Sequence, residues 1–66
     1  MLNTRIKCTY VWTAFDTRKF IKGEIYKVEN GRLIFPDKSK SEKTFENIDD
    51  INQSFYAAFE EVKNWK

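Results

Sequence analysis

The 66-residue chain contains no histidine, one cysteine, one proline and two glycines. Without histidine, the Ser–His and Cys–His pairs of hydrolases and histidine-containing metal sites cannot be built. The single cysteine, Cys8, excludes an internal disulfide, and we expect its thiol to be a small buried apolar group. The absence of a disulfide framework is typical of a reducing compartment, so a cytoplasmic location is expected.

Long apolar runs and glycine-rich loops are also missing. The longest apolar runs are a few residues, so no membrane partner is expected. Gly23 and Gly31 fall where turns are predicted, which leaves no phosphate-binding loop. The carboxylate pairs Asp49/Asp50 and Glu60/Glu61 are adjacent in sequence, and neighbouring side chains diverge on both helices and strands. The sequence therefore predicts a protein that is not an enzyme and has no cofactor and no metal site.

Aromatic side chains, in contrast, make up 17% of the chain. A chain of this length forms one domain, here residues 1–66, and buries only about 60% of the surface of its unfolded state. Each aromatic side chain can bury on the order of 150–250 Å². Because so small a core cannot enclose all of them, some aromatic surface is expected to remain exposed.

The strongest local pattern is a β-hairpin centred on Asn30-Gly31. A type I′ turn needs positive φ at both central residues, which asparagine and glycine tolerate best. The two-residue loop sets the register of the two strands and divides their side chains between two faces. The inward face is predicted to carry Tyr26, Val28, Leu33 and Phe35. The outward face is predicted to carry Ile25, Lys27, Glu29, Arg32 and Ile34.

A second strand is predicted over residues 4–12, where side chains alternate in character. The inward set is Ile6, Cys8, Tyr10 and Trp12. The outward set is Arg5, Lys7, Thr9, Val11 and Thr13. Residues 13–19 break this alternation and are predicted to form a loop, and residues 44–48 are a further short strand candidate.

The C-terminal region allows two interpretations, both beginning with a helix capped by Asp49 or Asp50. In one, apolar residues at helical spacing form a single helix over residues 50–64, which the alanines and glutamates favour. In the other, a short helix near residues 49–55 is followed by a closing strand over residues 59–63. No glycine or proline enforces a break.

One combination of motifs resembles a known family. It consists of Lys22-Gly-x-x-Tyr26-x-Val28-x-Asn30-Gly31, an apolar strand, a polar loop, Ile48-x-x-Ile51-Asn52-x-x-Phe55 and Phe59-Glu-Glu-Val62. This pattern, from Phe20 to Val62, is similar to small SH3-like barrel proteins of phages and prophages of Gram-positive bacteria.

The resemblance implies a mainly β fold, namely a five-stranded SH3-like barrel with one short helix near residues 49–55. The strand over residues 59–63 would close this barrel. The alternative fold is α+β, an antiparallel meander with a longer C-terminal helix over residues 50–64. The resemblance also implies an accessory protein without assigned activity in the cytoplasm of the bacterial host.

Protein binding is the preferred functional hypothesis. In this hypothesis, an exposed apolar and aromatic surface binds a host or defence protein, and the binding could inhibit that protein. The same surface could instead join two copies of the chain in a homodimer. The candidate residues for this surface are Phe15, Phe20, Ile25, Ile34, Tyr56 and Trp65.

Nucleic-acid binding is the alternative, because the N-terminal third of the chain is basic and contains aromatic residues. The candidate residues are Arg5, Lys7, Arg18, Lys19, Lys22 and Lys27. The formal net charge is only +2, and the C-terminal third is acidic. These two features make the alternative the weaker hypothesis.

Overall fold

Residues 2–62 are described in the computed structural model, and they form four antiparallel strands and one short helix. The elements are β1 (Thr4–Val11), β2 (Ile25–Glu29), β3 (Arg32–Leu33), α1 (Ile48–Ser54) and β4 (Ala57–Glu61). The strands lie in the order β3-β2-β1-β4 in a sheet that curls into a half-barrel. The prediction of a mainly β fold is thus confirmed. No helix among these residues is long and apolar enough to cross a membrane.

The predicted hairpin joins β2 and β3 in the expected register. Val28 pairs with Leu33 and Glu29 with Arg32, and the turn residues Asn30 and Gly31 have φ angles of 52° and 80°. The expected inward face is confirmed: three of its residues are buried and Tyr26 packs against them, partly buried. Turn chemistry and side-chain alternation therefore fix this part of the fold together.

The predicted strand over residues 44–48 is not formed. An irregular segment runs beside β3 instead, held by a few specific hydrogen bonds. The backbone N–H of Ser41 donates to the Leu33 carbonyl (2.9 Å), and the Leu33 N–H donates to the Ser41 hydroxyl oxygen (3.0 Å). Further on, the Phe45 N–H donates to the Gly31 carbonyl (2.7 Å), and the Phe45 side chain is buried. Residues 44–48 thus contribute a core side chain rather than a fifth strand.

The helix is the short one of the two interpretations, and a helix over residues 50–64 is wrong. Its cap is Asn47, whose Oδ1 accepts a hydrogen bond from the Asp50 N–H (2.9 Å). The expected capping by Asp49 or Asp50 is therefore wrong. Both aspartates lie in the first turn, where their negative charge interacts favourably with the helix dipole. Extended backbone resumes at Phe55.

The closing strand that competed with the long helix is present, two residues earlier than predicted. Ala57–Glu61 pairs with β1, and both Ala57 and Phe59 are buried by this pairing. Local helix propensity is worth a few tenths of a kcal/mol per residue, whereas burying one phenylalanine contributes about 1.5–3 kcal/mol. Tertiary pairing with β1 therefore overrides the helical preference of residues 57–61.

Phe20 lies at the centre of the core, so its prediction as a surface candidate is wrong. Its side chain is 5% exposed, and its ring centroid lies 5.0–6.1 Å from those of four other rings, namely Tyr26, Phe35, Phe55 and Phe59. The Asp16 carboxylate accepts hydrogen bonds from the N–H groups of Arg18 (2.9 Å) and Phe20 (2.7 Å). This turn directs the loop after β1 back over the core.

Candidate protein-binding surface

A β-bulge in β1 decides which aromatic side chains face outward. Cys8 pairs with Phe59, but Tyr10 pairs with Ala58, so β1 carries one extra residue, Thr9, opposite β4. An extra residue reverses the alternation beyond it. The expectation that Tyr10 and Trp12 point inward with Ile6 and Cys8 is therefore wrong. Tyr10 and Trp12 are about half exposed, and Val11 packs against the core in their place.

Four half-exposed aromatic side chains form two ring pairs near the place where β1 and β4 adjoin. The Trp12 N–H donates to the Tyr56 carbonyl (2.9 Å), which places these residues across from each other. The rings of Tyr10 and Trp12 are 4.8 Å apart at 78°, and those of Phe15 and Tyr56 are 5.5 Å apart. We call Tyr10, Trp12, Phe15 and Tyr56 the aromatic patch. Their exposed fractions are 50%, 47%, 63% and 57%.

The backbone holds the loop side of the aromatic patch in place. The N–H groups of Phe15 and Asp16 both donate to the Trp12 carbonyl, at 2.9 and 3.1 Å. A turn thus returns Phe15 toward β4, where it reaches Tyr56. A surface organised before binding loses little conformational entropy on association.

The predicted protein-binding residues do not form one surface. Phe15 and Tyr56 belong to the aromatic patch, whereas Phe20 is buried in the core. Ile25 is exposed and Ile34 is half-buried, and both line a separate open cleft of about 520 Å³ with Ile21. Trp65 lies outside the described residues.

Sequence reasoning missed Tyr10 and Trp12 as surface residues. One indication was present: Val11 is apolar but belongs to the predicted outward set, between two aromatic residues of the inward set. When a bulge reverses the alternation of side chains along a strand, apolar residues appear in both the predicted inward set and the predicted outward set. The sequence alone does not say where the reversal occurs, because Thr9, Tyr10 and Val11 all favour strands equally well.

The predicted nucleic-acid-binding residues fall into two groups. Arg5, Lys7 and Lys27 lie on the outer face of the sheet, with Arg5 directly opposite Lys27. The others lie in the segment between β1 and β2, namely Arg18, Lys19 and Lys22. Arg18 is set apart by its contact with the Phe35 ring, 4.3 Å from the ring centroid. The six residues are not brought together as one strip.

Acidic groups accompany the basic residues on the outer face. Lys27 Nζ lies 3.0 Å from Glu29 Oε2, and Lys40 Nζ lies 3.7 Å from Glu29 Oε1. The hydrogen bond and charge of Lys27 lower the pKa of Glu29, with a smaller contribution from Lys40. Lys7 stands across from Glu60 on β4. The positive potential on this face is therefore partly offset.

The thiol of Cys8 is in a structural position. Cys8 is fully buried, its Sγ donates to the Tyr10 carbonyl (3.6 Å), and desolvation raises the pKa of its thiol. A buried, protonated thiol is a poor nucleophile and a poor metal ligand. Among residues 2–62, no group of three cysteine, aspartate and glutamate side chains is close enough to hold a metal ion.

What the geometry offers is a preformed aromatic surface on a small curled sheet. Comparisons of the chain with protein-family models, curated proteins and solved structures find no match.

Proposed function

We propose that this chain is a non-catalytic interaction protein that binds a partner protein through the aromatic patch. The observation that carries the proposal is that two pairs of half-exposed aromatic rings lie where Trp12 and Tyr56 are bonded through their backbones. The two segments that supply them, residues 8–15 and 54–59, contain no charged residue. Tryptophan and tyrosine dominate the binding energy of protein interfaces, at sites from which charge is depleted.

The size of the aromatic patch fits this role. Four aromatic side chains that are each about half exposed present on the order of 300–500 Å² of largely apolar surface. Patches of that size on a monomer are commonly functional. They amount to roughly half of one partner's share of a standard interface. Neighbouring residues on the outer face would supply the remaining contacts.

Replacing Trp12 with alanine is expected to weaken partner binding about 30-fold or more, which corresponds to about 2 kcal/mol. The protein should stay folded, because the Trp12 side chain is half exposed and its hydrogen bond to Tyr56 uses the backbone. The measurement is capture from a nuclease-treated lysate of the bacterial host, followed by titration of the captured protein. Urea unfolding of the variant checks the fold.

Ile25→Ala is the matched control, because Ile25 is 51% exposed but lies in the isoleucine-lined cleft outside the aromatic patch. It should leave capture unchanged. If Ile25→Ala abolishes capture and Trp12→Ala does not, the binding surface is the cleft and the proposal is wrong.

For the partner, we propose a host or defence protein that the chain inhibits. The support is the resemblance of the sequence to small SH3-like proteins of phages. An SH3-like barrel has five strands, one more than the four described here. In such a barrel, the irregular segment of residues 34–45 would take the place of the additional strand. Inhibition by such a protein requires only a complementary surface that covers a functional site.

Single-stranded nucleic acid is the second candidate ligand. Arg5, Lys7 and Lys27 lie side by side on the outer face, which the aromatic patch continues along β1. Bases can stack on exposed aromatic rings while cations contact phosphates.

A salt titration distinguishes the two ligands. If nucleic acid binds through these three cations, a plot of log association constant against log salt concentration for a single-stranded oligonucleotide should have a slope of about −2. In the variant Lys7→Ala the slope should be less steep by about 0.7. Oligonucleotide binding that is absent, or insensitive to salt, would exclude this candidate.

A further inference from the structure

Another open cleft, of about 480 Å³, lies between the irregular segment after β3 and the end of α1. Among residues 2–62, the charged side chains that line it are Arg18, Lys40, Lys43 and Glu42, so cations outnumber carboxylates by three to one. The rest of its lining combines serine hydroxyls with phenylalanine rings. A cleft of this size can hold a small ligand. Because one sign of charge prevails and the walls are partly apolar, the cleft concentrates a positive potential.

A connected group of three phenylalanine rings positions two of these cations. The Phe55 ring contacts both Phe35 and Phe45, with centroid distances of 5.6 and 5.8 Å. The guanidinium carbon of Arg18 lies 4.3 Å from the Phe35 centroid, and Lys43 Nζ lies 5.4 Å from the Phe45 centroid. A guanidinium held over a ring can still use its N–H edge for a two-point hydrogen bond to an oxyanion. The aromatic floor of the cleft therefore orients its cations.

Buried Ser41 fixes the backbone that carries the two lysines of the cleft. Its hydroxyl accepts from the Leu33 N–H (3.0 Å) and donates to the Lys43 carbonyl (2.8 Å). Its own N–H donates to the Leu33 carbonyl (2.9 Å). Lys40 and Lys43 lie on either side of this anchor in the chain. A cleft whose backbone is organised before binding loses little conformational entropy when a ligand enters.

The carboxylates near this cleft offset its positive charge only in part. Lys40 Nζ lies 3.7 Å from Glu29 Oε1, but Glu29 also has a closer ion pair on β2, at 3.0 Å. Exposed pairs of this kind contribute little and are easily exchanged for another partner. The pKa of Asp37 is lowered mainly by hydrogen bonds from Ser39, with a smaller contribution from the charge of Arg18. Both carboxylates are thus engaged chiefly with groups outside the cations of the cleft.

We propose that this cleft binds a small anion with linked phosphate groups, which Arg18, Lys40 and Lys43 hold. A singly charged carboxylate would leave two of the three cations without a counter-charge. Phosphate groups bring several negative charges and several acceptor oxygens, which a guanidinium contacts at two points and an ammonium contacts as a point charge. The cleft shares no residue with the aromatic patch. This inference therefore does not depend on the protein binding proposed above.

Titration with inorganic pyrophosphate at constant ionic strength, followed by ¹H–¹⁵N NMR, tests the proposal. Amide shifts should change in a saturable way for residues that line the cleft, above all residues 39–43 and 54–55. Arg18→Gln should lower the affinity about tenfold, because it removes a pair of charge-assisted hydrogen bonds. Lys43→Gln, at an exposed side chain, should lower it about threefold. If loss of the Arg18 contact with Phe35 unfolds the first variant, the second decides.

Arg32→Gln and Lys38→Gln are the matched controls, since each removes one positive charge at an exposed position outside the cleft. Both should leave the affinity within about twofold, because salt screens charges that do not contact the ligand. An equal loss in the controls would show general attraction of anions to a basic protein and would overturn the proposal. Amide shifts that do not saturate would do the same. Tighter binding of a tetraglutamate peptide than of pyrophosphate would also overturn it and would assign the cleft to an acidic protein segment.

Discussion

Replacing Phe20 with alanine is expected to remove most of the stability of this protein. Phe20 contacts four other aromatic rings, three of them edge-on, and is 5% exposed. Truncating a buried phenylalanine costs about 3–5 kcal/mol, because apolar burial is lost and a cavity remains. A domain of this size has a total free energy of unfolding of about 3–10 kcal/mol. Urea unfolding followed by circular dichroism should show a variant that is largely unfolded at 37 °C.

Phe15→Ala provides the matched comparison, since the same atoms are removed from a side chain that is 63% exposed. Its free energy of unfolding should change by no more than about 0.5–1 kcal/mol, mainly through lost contact with Tyr56. Equal destabilisation by the two substitutions would contradict the assignment of Phe20 to the core and Phe15 to the surface.

Replacing Gly31 with alanine is expected to destabilise the hairpin by about 2–4 kcal/mol, from positive φ and crowding together. The φ of Gly31 is +80°, which a residue with a Cβ adopts only at a cost of about 1–2 kcal/mol. A Cβ there would also lie 3.1 Å from the Phe45 carbonyl oxygen and 3.2 Å from the Thr44 Cβ. The Phe45 N–H donates to the Gly31 carbonyl, so this backbone cannot move away without losing a hydrogen bond.

Gly23→Ala separates the two contributions. Gly23 also has positive φ, +92°, but nothing lies within 4 Å of the position a Cβ would take. Its substitution should cost only the conformational term, about 1–2 kcal/mol. The difference between the two variants in urea unfolding measures how tightly residues 44–45 pack on the turn. If Gly23→Ala is as destabilising as Gly31→Ala, that packing contributes nothing.

The hairpin could be predicted in detail because its determinants are local. Asn30 and Gly31 select the turn, the turn sets the register, and the register agrees with one apolar face. A short helix followed by a closing strand could not be distinguished from one long helix. The alanines and glutamates of this region favour a helix, whereas pairing with β1 requires a strand. The cap at Asn47 was missed because two aspartates close by are equally good cap residues.

The candidate site was less predictable than the fold. Phe15 and Tyr56 could be nominated because a small core cannot enclose every aromatic residue. Phe20 and Phe15 could not be told apart, since both lie between two predicted strands. Tyr10 and Trp12 were assigned to the wrong face because the bulge at Thr9 arises from pairing with β4, about 50 residues later in the chain.

The sequence by itself determined the turn at Asn30-Gly31, the inward face of the hairpin and the lack of histidine-dependent chemistry, since each depends on residue types and short-range spacing. The tertiary structure decided which aromatic side chains are exposed, where β1 reverses its alternation and how the Asn52 side chain bonds to the Phe59 backbone. These features depend on the contacts of β1 and α1 with β4, which no local pattern encodes.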